Sequence, residues 1–197
     1  VVGDGFTGKT CLLTAYTKNE FPDDHIPTVI DNFTTVVSID KKEVDLSLWD
    51  TAGQEEHKCL RTLSYVDTDV FIYCFSSISS VSLENIASKW YEEVSHYCPR
   101  ACCILVGTKS DLKENAEEIA EVTKHGAELP TEERIAEISA RIGACYSLAC
   151  SALLHEGISE VFESAVRATF IEKPKTRRNC PLLQQNAKFH VLTEIPF

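Results

Sequence analysis

The stretch Gly3-Asp4-Gly5-Phe6-Thr7-Gly8-Lys9-Thr10 constrains this chain more than any other. It satisfies G-x-x-x-x-G-K-[ST] at every fixed position, stands directly behind the apolar pair Val1-Val2, and runs into Cys11-Leu12-Leu13-Thr14-Ala15-Tyr16, which reads as the start of a helix. Glycines at 3, 5 and 8 let the backbone turn tightly, so that successive N–H groups and the positive helix end face one anionic site. Lys9 would set its ammonium against terminal phosphates, and the Thr10 hydroxyl would ligate a magnesium ion bound to them. Only a strand-loop-helix unit presents such a cradle, so an α/β fold follows.

A chain of 197 residues holds one domain with a sizeable core. Hydrophobic residues at 44% and charged ones at 25% give the usual globular balance. A formal net charge of −11 would repel nucleic-acid backbones, which argues against nucleic acid as a partner. No run approaches the roughly 18 to 20 uncharged apolar residues of a membrane-spanning helix. Nine cysteines, an odd number with no C-x-x-C pair, fit neither a disulfide framework nor a zinc site and read as reduced thiols. Cys11 alone combines a helix start with a nearby metal, a setting that could acidify a thiol, against its plainer reading as a packing residue. Only Val1 and Val2 precede Gly3, so the central strand is expected to be truncated.

Along the chain, Glu20 to Phe33 carries two prolines and several carboxylates without helical period and reads as an exposed loop. Thr34–Ile39 and Val44–Trp49 alternate about a polar turn at Asp40-Lys41-Lys42-Glu43, a β-hairpin. The second strand delivers Asp50-Thr51-Ala52-Gly53-Gln54-Glu55; beside a phosphate loop that aspartate is placed to reach a metal through water, and the Gly53 N–H to reach the terminal phosphate. Val70–Phe75 and Cys102–Val106 are continuous apolar runs, expected of strands buried on both faces. Leu83, Ile86, Trp90 and Val94 have helical spacing ending before Pro99. Residues 113–129 read as a charged, helical surface insertion. Thr131 is an N-cap for a helix with Ile135, Ile138 and Ile142 inside, Tyr146–Cys150 is the last strand, and Ile158, Val161, Phe162, Ala165 and Val166 face inward from a closing helix. The expected fold is α/β: a mostly parallel six-stranded sheet, one antiparallel edge strand, helices on both faces.

Together these stretches resemble the small GTPases of the Ras superfamily, and within it the Rho family near its Rac-like members. The marks are the loop at 3–10, Pro27-Thr28-Val29, Trp49-Asp50-Thr51-Ala52-Gly53-Gln54-Glu55, Thr108-Lys109-Ser110-Asp111, Cys150-Ser151-Ala152-Leu153 and the helical insertion. The resemblance implies a G domain over residues 1–171 that binds GTP or GDP with Mg2+. Asp4, Gly5, Phe6, Thr7, Gly8, Lys9, Thr10 and Cys11 would wrap the phosphates, with Thr10 and Thr28 on the metal and Asp50 reaching it through water. Gln54 would orient the attacking water, supported by Lys9 and Thr28. Thr28 and Gly53 would be held by the terminal phosphate and released when it leaves, an order change in two loops. Asp111 would accept two hydrogen bonds from the guanine N1–H and exocyclic amine, where adenine offers a lone pair. Lys109 and Phe21 would lie along the base faces, with Thr108, Ser151, Ala152 and Leu153 around them.

The implied role is a switch that hydrolyses GTP slowly unaided and serves Rho-type signalling to the actin cytoskeleton, cell shape and motility. Its partners would be exchange factors, GTPase-activating proteins, and effectors such as kinases and scaffold proteins. A monomer in the cytoplasm, at most peripheral at the inner face of the plasma membrane, is expected. His25, Ile30, His57 and Cys59 depart from the relatives at positions that touch partners rather than nucleotide. They leave open an alternative, a guanine-nucleotide-binding scaffold that scarcely cycles. The basic stretch Lys173, Lys175, Arg177 and Arg178 precedes Cys180-Pro181-Leu182-Leu183, similar to a prenylation box. Because Gln184 to Phe197 follow it, Cys180 is expected to stay unmodified and membrane contact to be weak.

Overall fold

The structure, a computed structural model, describes residues 1–22, 30–124 and 126–171. The phosphate loop feeds α1 (Lys9–Lys18). Strands β1 (Ile30–Ile39) and β2 (Lys42–Thr51) form an antiparallel hairpin in register from Ile30 opposite Thr51 to Ile39 opposite Lys42. Its turn is tighter than the sequence suggests: only Asp40 and Lys41 lie between the strands, both at positive φ (51° and 65°). Two consecutive left-handed residues make the turn whose twist matches the strands, so pairing runs on through Lys42 and Glu43.

A short 3₁₀ turn (Glu55–His57) precedes α2 (Lys58–Leu63), and β3 (Val70–Ser76) follows. Next come α3 (Ser80–Asn85), a π-helical turn (Ile86–Trp90), α4 (Tyr91–Tyr97) and β4 (Cys102–Thr108). A second 3₁₀ turn (Ser110–Glu114) leads to α5 (Ala116–Lys124), which buries none of its residues. The chain then forms α6 (Glu132–Ile142), β5 (Ser147–Ala149) and α7 (Ile158–Phe170). As the sequence predicts, Thr131 caps α6, its hydroxyl accepting the Arg134 N–H at 3.2 Å.

Among the described residues the ladders form two sheets rather than one of six strands: the β1-β2 pair and a parallel sheet in the order β3-β4-β5. Val2 bridges Tyr73 in parallel, donating to Ile72 O at 2.9 Å and accepting from Cys74 N at 2.8 Å.

Alternation along β3 and β4 splits the core between two faces. Phe71, Tyr73, Phe75, Cys103 and Leu105 pack with Leu83, Ile86, Trp90, Val94 and the three α6 isoleucines. Ile72, Cys74, Cys102, Ile104 and Val106 pack with Leu12 and Leu13 of α1 and with Ile158, Val161, Phe162 and Ala165 of α7. Each fully buried leucine or phenylalanine here contributes about 1.5–3 kcal/mol. Helices on both faces leave the C-terminal ends of β3, β4 and β5 converging on one rim, beside the phosphate loop.

Of the eight cysteines among the described residues, five are buried. Cys11 is 7% exposed, and burial pushes its thiol up rather than down, so the packing reading holds for it. Burial likewise pushes Cys74 and Cys150 up to about 12.

Candidate functional site

The loop at 3–10 is built on positive backbone angles: Gly3 at 149°, Phe6 at 62° and Gly8 at 85°. At Gly3 a side chain is also sterically barred, since a Cβ would lie 2.2 Å from Cys74 O. Lys9 is 6% exposed, and its ammonium donates to the carbonyls of Gly3 (2.9 Å) and Asp4 (2.6 Å). The Thr7 hydroxyl also donates to Asp4 O, at 2.8 Å. Burial pulls the Lys9 ammonium below its ordinary value, only partly countered by the carboxylates of Asp50 and Asp4. An incoming anion would reverse that shift, so the site gains from filling.

Thr10 and Asp50 meet, the threonine hydroxyl donating to Asp50 Oδ2 at 2.6 Å. Asp50 is 1% exposed at the end of β2. A hydroxyl and one carboxylate are hard oxygen donors, a set that suits Mg2+ completed by waters and phosphate. Gly53 packs against the loop so closely that a Cβ on it would lie 2.3 Å from Gly5 N. The Gln54 side chain is exposed beside it. Thr28 falls outside the described residues, as does His25.

Across the rim, the hydroxyl of Thr108 at the end of β4 lies within hydrogen-bond distance of Thr7 O and Phe75 O and shares its one proton between them, tying sheet to loop. Lys109 follows in a left-handed conformation (φ 56°) and opens the 3₁₀ turn that presents Asp111. Ser151, fully buried, donates to Asp111 Oδ1 at 2.5 Å and accepts from Leu154 N at 3.1 Å. A cavity of about 200 Å³ lies here, walled by Phe21, Lys109, Asp111, Ala152, Leu153 and Cys11. The structure thus brings Lys9, Thr10, Asp50, Gly53, Thr108, Asp111 and Ser151, with the walls of this cavity, to one rim from five separate stretches. Gly5 and Phe6 are exposed at the loop's outer edge, Phe6 at 75%.

Two things were not visible in the sequence. The Asp4 carboxylate does not face the cradle; it accepts hydrogen bonds from Asn85 and Trp90, so this residue contributes to the cradle through its carbonyl. The other is Arg61, 0% exposed, which stacks on Trp90 with its guanidinium 4.7 Å from the ring centroid. It donates to Ala52 O at 2.8 Å and Gln54 O at 3.0 Å, and bidentately to Glu93 at 2.9 Å. Glu93 also accepts from Tyr65 Oη at 2.7 Å. Arg61 holds the backbone that carries Gln54. An arginine in an ordinary amphipathic stretch, paired 32 residues away, leaves no local signal.

Burial would push the Glu93 carboxyl up, but its hydrogen bonds from Arg61 and Tyr65 outweigh this and hold it below its ordinary value. Its contribution to stability is therefore complete above the unfolded value of about 4.3 and lost as pH falls through the lower folded value. Arg61→Lys keeps the charge but loses the fork and the stack, at an expected cost of about 1–3 kcal/mol. Urea unfolding at neutral pH should show a lower midpoint, and the gap to wild type should narrow below about pH 4. An unchanged midpoint would mean that this cluster does not hold the segment.

A family model described as Ras, the Ras family, matches residues 1–171.

Proposed function

The chain belongs to the Ras family, whose members are GTP-binding switches, and on that premise we propose that it binds GTP and GDP with Mg2+, hydrolyses GTP and signals in the Rho manner. The observation that carries this reading is the convergence of Lys9, the Thr10–Asp50 pair and Gly53 at one end of a rim whose other end holds Asp111 beside a base-sized cavity. Mg2+ would sit on Thr10 and, through water, on Asp50, and would neutralise phosphate charge there. Lys9 and the loop amides bind the phosphates, and Asp111 with Ser151 reads the base. Gln54, exposed on a backbone pinned by Arg61, orients the attacking water, and Thr28 would be a second ligand of the metal. Asp4, Gly5, Phe6, Thr7, Gly8 and Cys11 complete the phosphate wall.

The Rho assignment rests on Thr108 and on the exposed α5 inserted after Asp111. With it come the actin cytoskeleton as target, exchange factors, activating proteins and effector kinases or scaffold proteins as partners, and a cytoplasmic location with at most weak contact at the plasma membrane.

Nucleotide extracted from purified full-length protein should be GDP or GTP. Single-turnover hydrolysis should be slow and should accelerate with a Rho-type activating protein. Gln54→Ala should lower the unaided rate by about tenfold, with nucleotide affinity unchanged, because only the water loses its orienting group. Loading without any hydrolysis, at high activator, would replace this reading with the scaffold that scarcely cycles.

A further inference from the structure

The second residue of the phosphate loop is anchored by its side chain to a part of the chain more than 80 residues away. Asp4 Oδ2 accepts from Asn85 Nδ2 at 2.7 Å, and Asp4 Oδ1 accepts from Trp90 Nε1 at 2.8 Å. Both lone-pair edges of the carboxylate are thereby turned from the cradle towards the helix. The same residue's carbonyl receives the Lys9 ammonium and the Thr7 hydroxyl on its other side. Asp4 is thus the hub through which the loop is held.

The helix is shaped to reach it. Residues five apart on an α-helix point about 140° away from each other, so Asn85 and Trp90 could not both face one carboxylate. Between them lies the π-helical turn Ile86–Trp90, closed by the Tyr91 N–H on Ile86 O. That wider turn brings positions five apart back to one face. Trp90 is 0% exposed, and its ring carries the Arg61 guanidinium that holds the Gln54 carbonyl. One indole therefore touches both halves of the phosphate end.

We propose that Asn85 and Trp90 are positioning residues that brace the phosphate loop through Asp4 and so set how slowly bound nucleotide is released. The inference rests on the reading of this loop as a nucleotide site. A loop with three glycines gains affinity from being held in its bound shape beforehand, and a change in that preorganisation appears mainly in the rate of dissociation. A released Asp4 carboxylate could also swing towards the phosphates and repel them. Both effects act in the same direction.

The test uses the full chain loaded with a fluorescent N-methylanthraniloyl derivative of GDP and chased with excess GDP. Asn85→Ala should raise the release rate by about threefold or more, as should Trp90→Phe, which keeps a ring under Arg61 but removes the N–H donor. In an Asp4→Ala background, which releases faster than wild type, Asn85→Ala should add nothing. A merely structural role would show instead as a lower unfolding midpoint with independent, additive effects. Should Trp90→Phe not fold, Asn85→Ala, at a half-buried position, carries the test alone. Release at the wild-type rate from folded Asn85→Ala overturns the brace, and so does an effect that persists undiminished without the Asp4 carboxylate. A wild-type chain that takes up no labelled GDP overturns both the brace and the nucleotide site, whereas loading with unchanged release in the variants overturns the brace only.

Discussion

Lys9→Ala is expected to weaken binding of GDP and GTP by about two to four orders of magnitude. The ammonium is buried and donates to the Gly3 and Asp4 carbonyls at 2.9 and 2.6 Å, so it shapes the loop before any anion arrives. Removing it takes one donor from each of those carbonyls, leaving Asp4 O the Thr7 hydroxyl, and takes from the phosphates the one buried cation of the loop. Hydrogen bonds to charged groups contribute about 1.5–3 kcal/mol each, and two of them account for the range given. Titration calorimetry on nucleotide-free protein would measure it. A loss below tenfold would mean that the loop amides suffice and that Lys9 is chiefly a structural strut. Because the cost falls on the phosphates, GDP and IDP should lose affinity in the same proportion.

Asp111→Ala should produce a loss of similar size with the opposite selectivity. One carboxylate oxygen, Oδ1, is held by Ser151 at 2.5 Å, which orients the group in the cavity wall beside Lys109 and Ala152. Guanine presents two donors to such a carboxylate, and without it both lose their partner. Two charge-assisted bonds again amount to about 3–6 kcal/mol, or two to four orders of magnitude in affinity for GDP. IDP lacks the exocyclic amine, so wild type should bind it more weakly than GDP, and in Asp111→Ala that gap should close. Competition of both nucleotides against the fluorescent GDP derivative would read the gap directly. If it survives the substitution, Asp111 does not read the base, and the cavity's preference arises elsewhere in its wall.

These two expectations draw on residues legible in the sequence, because each belongs to a contiguous motif whose chemistry is local. The loop at 3–10 needs its glycines and lysine at fixed spacing to wrap one phosphate, and Asp111 follows a buried strand at a short, fixed distance. The hairpin was legible for a similar reason, the alternation of Val44, Leu46 and Leu48, although its extent was not. Turn type sets the register, and nothing in Asp40-Lys41-Lys42-Glu43 announces that only the first two residues leave the ladder. The central sheet was the least faithful part: among the described residues the ladders are a pair and a triplet, with a single bridge at Val2, rather than the expected six strands.

The helical spacing of Leu83, Ile86, Trp90 and Val94 puts them on one face, and that face packs in the core. The same reading hid the second use of Trp90, since periodicity reports which face is buried and says nothing about an indole N–H. Arg61 was invisible for a related reason. Its worth lies in Glu93, Trp90 and the carbonyls of Ala52 and Gln54, the nearest of them seven residues away in sequence.

Sequence alone determined the kind of chemistry: an anion cradle, hard oxygen donors and a carboxylate for a base, each encoded in a few adjacent residues because backbone N–H groups and neighbouring side chains make the site locally. Tertiary structure decided how firmly those pieces are held. A carboxylate at position 4, an arginine at 61 and a π-helical turn at 86–90 acquire their roles only when folding brings distant donors and acceptors within 3 Å, a geometry that no short-range pattern specifies.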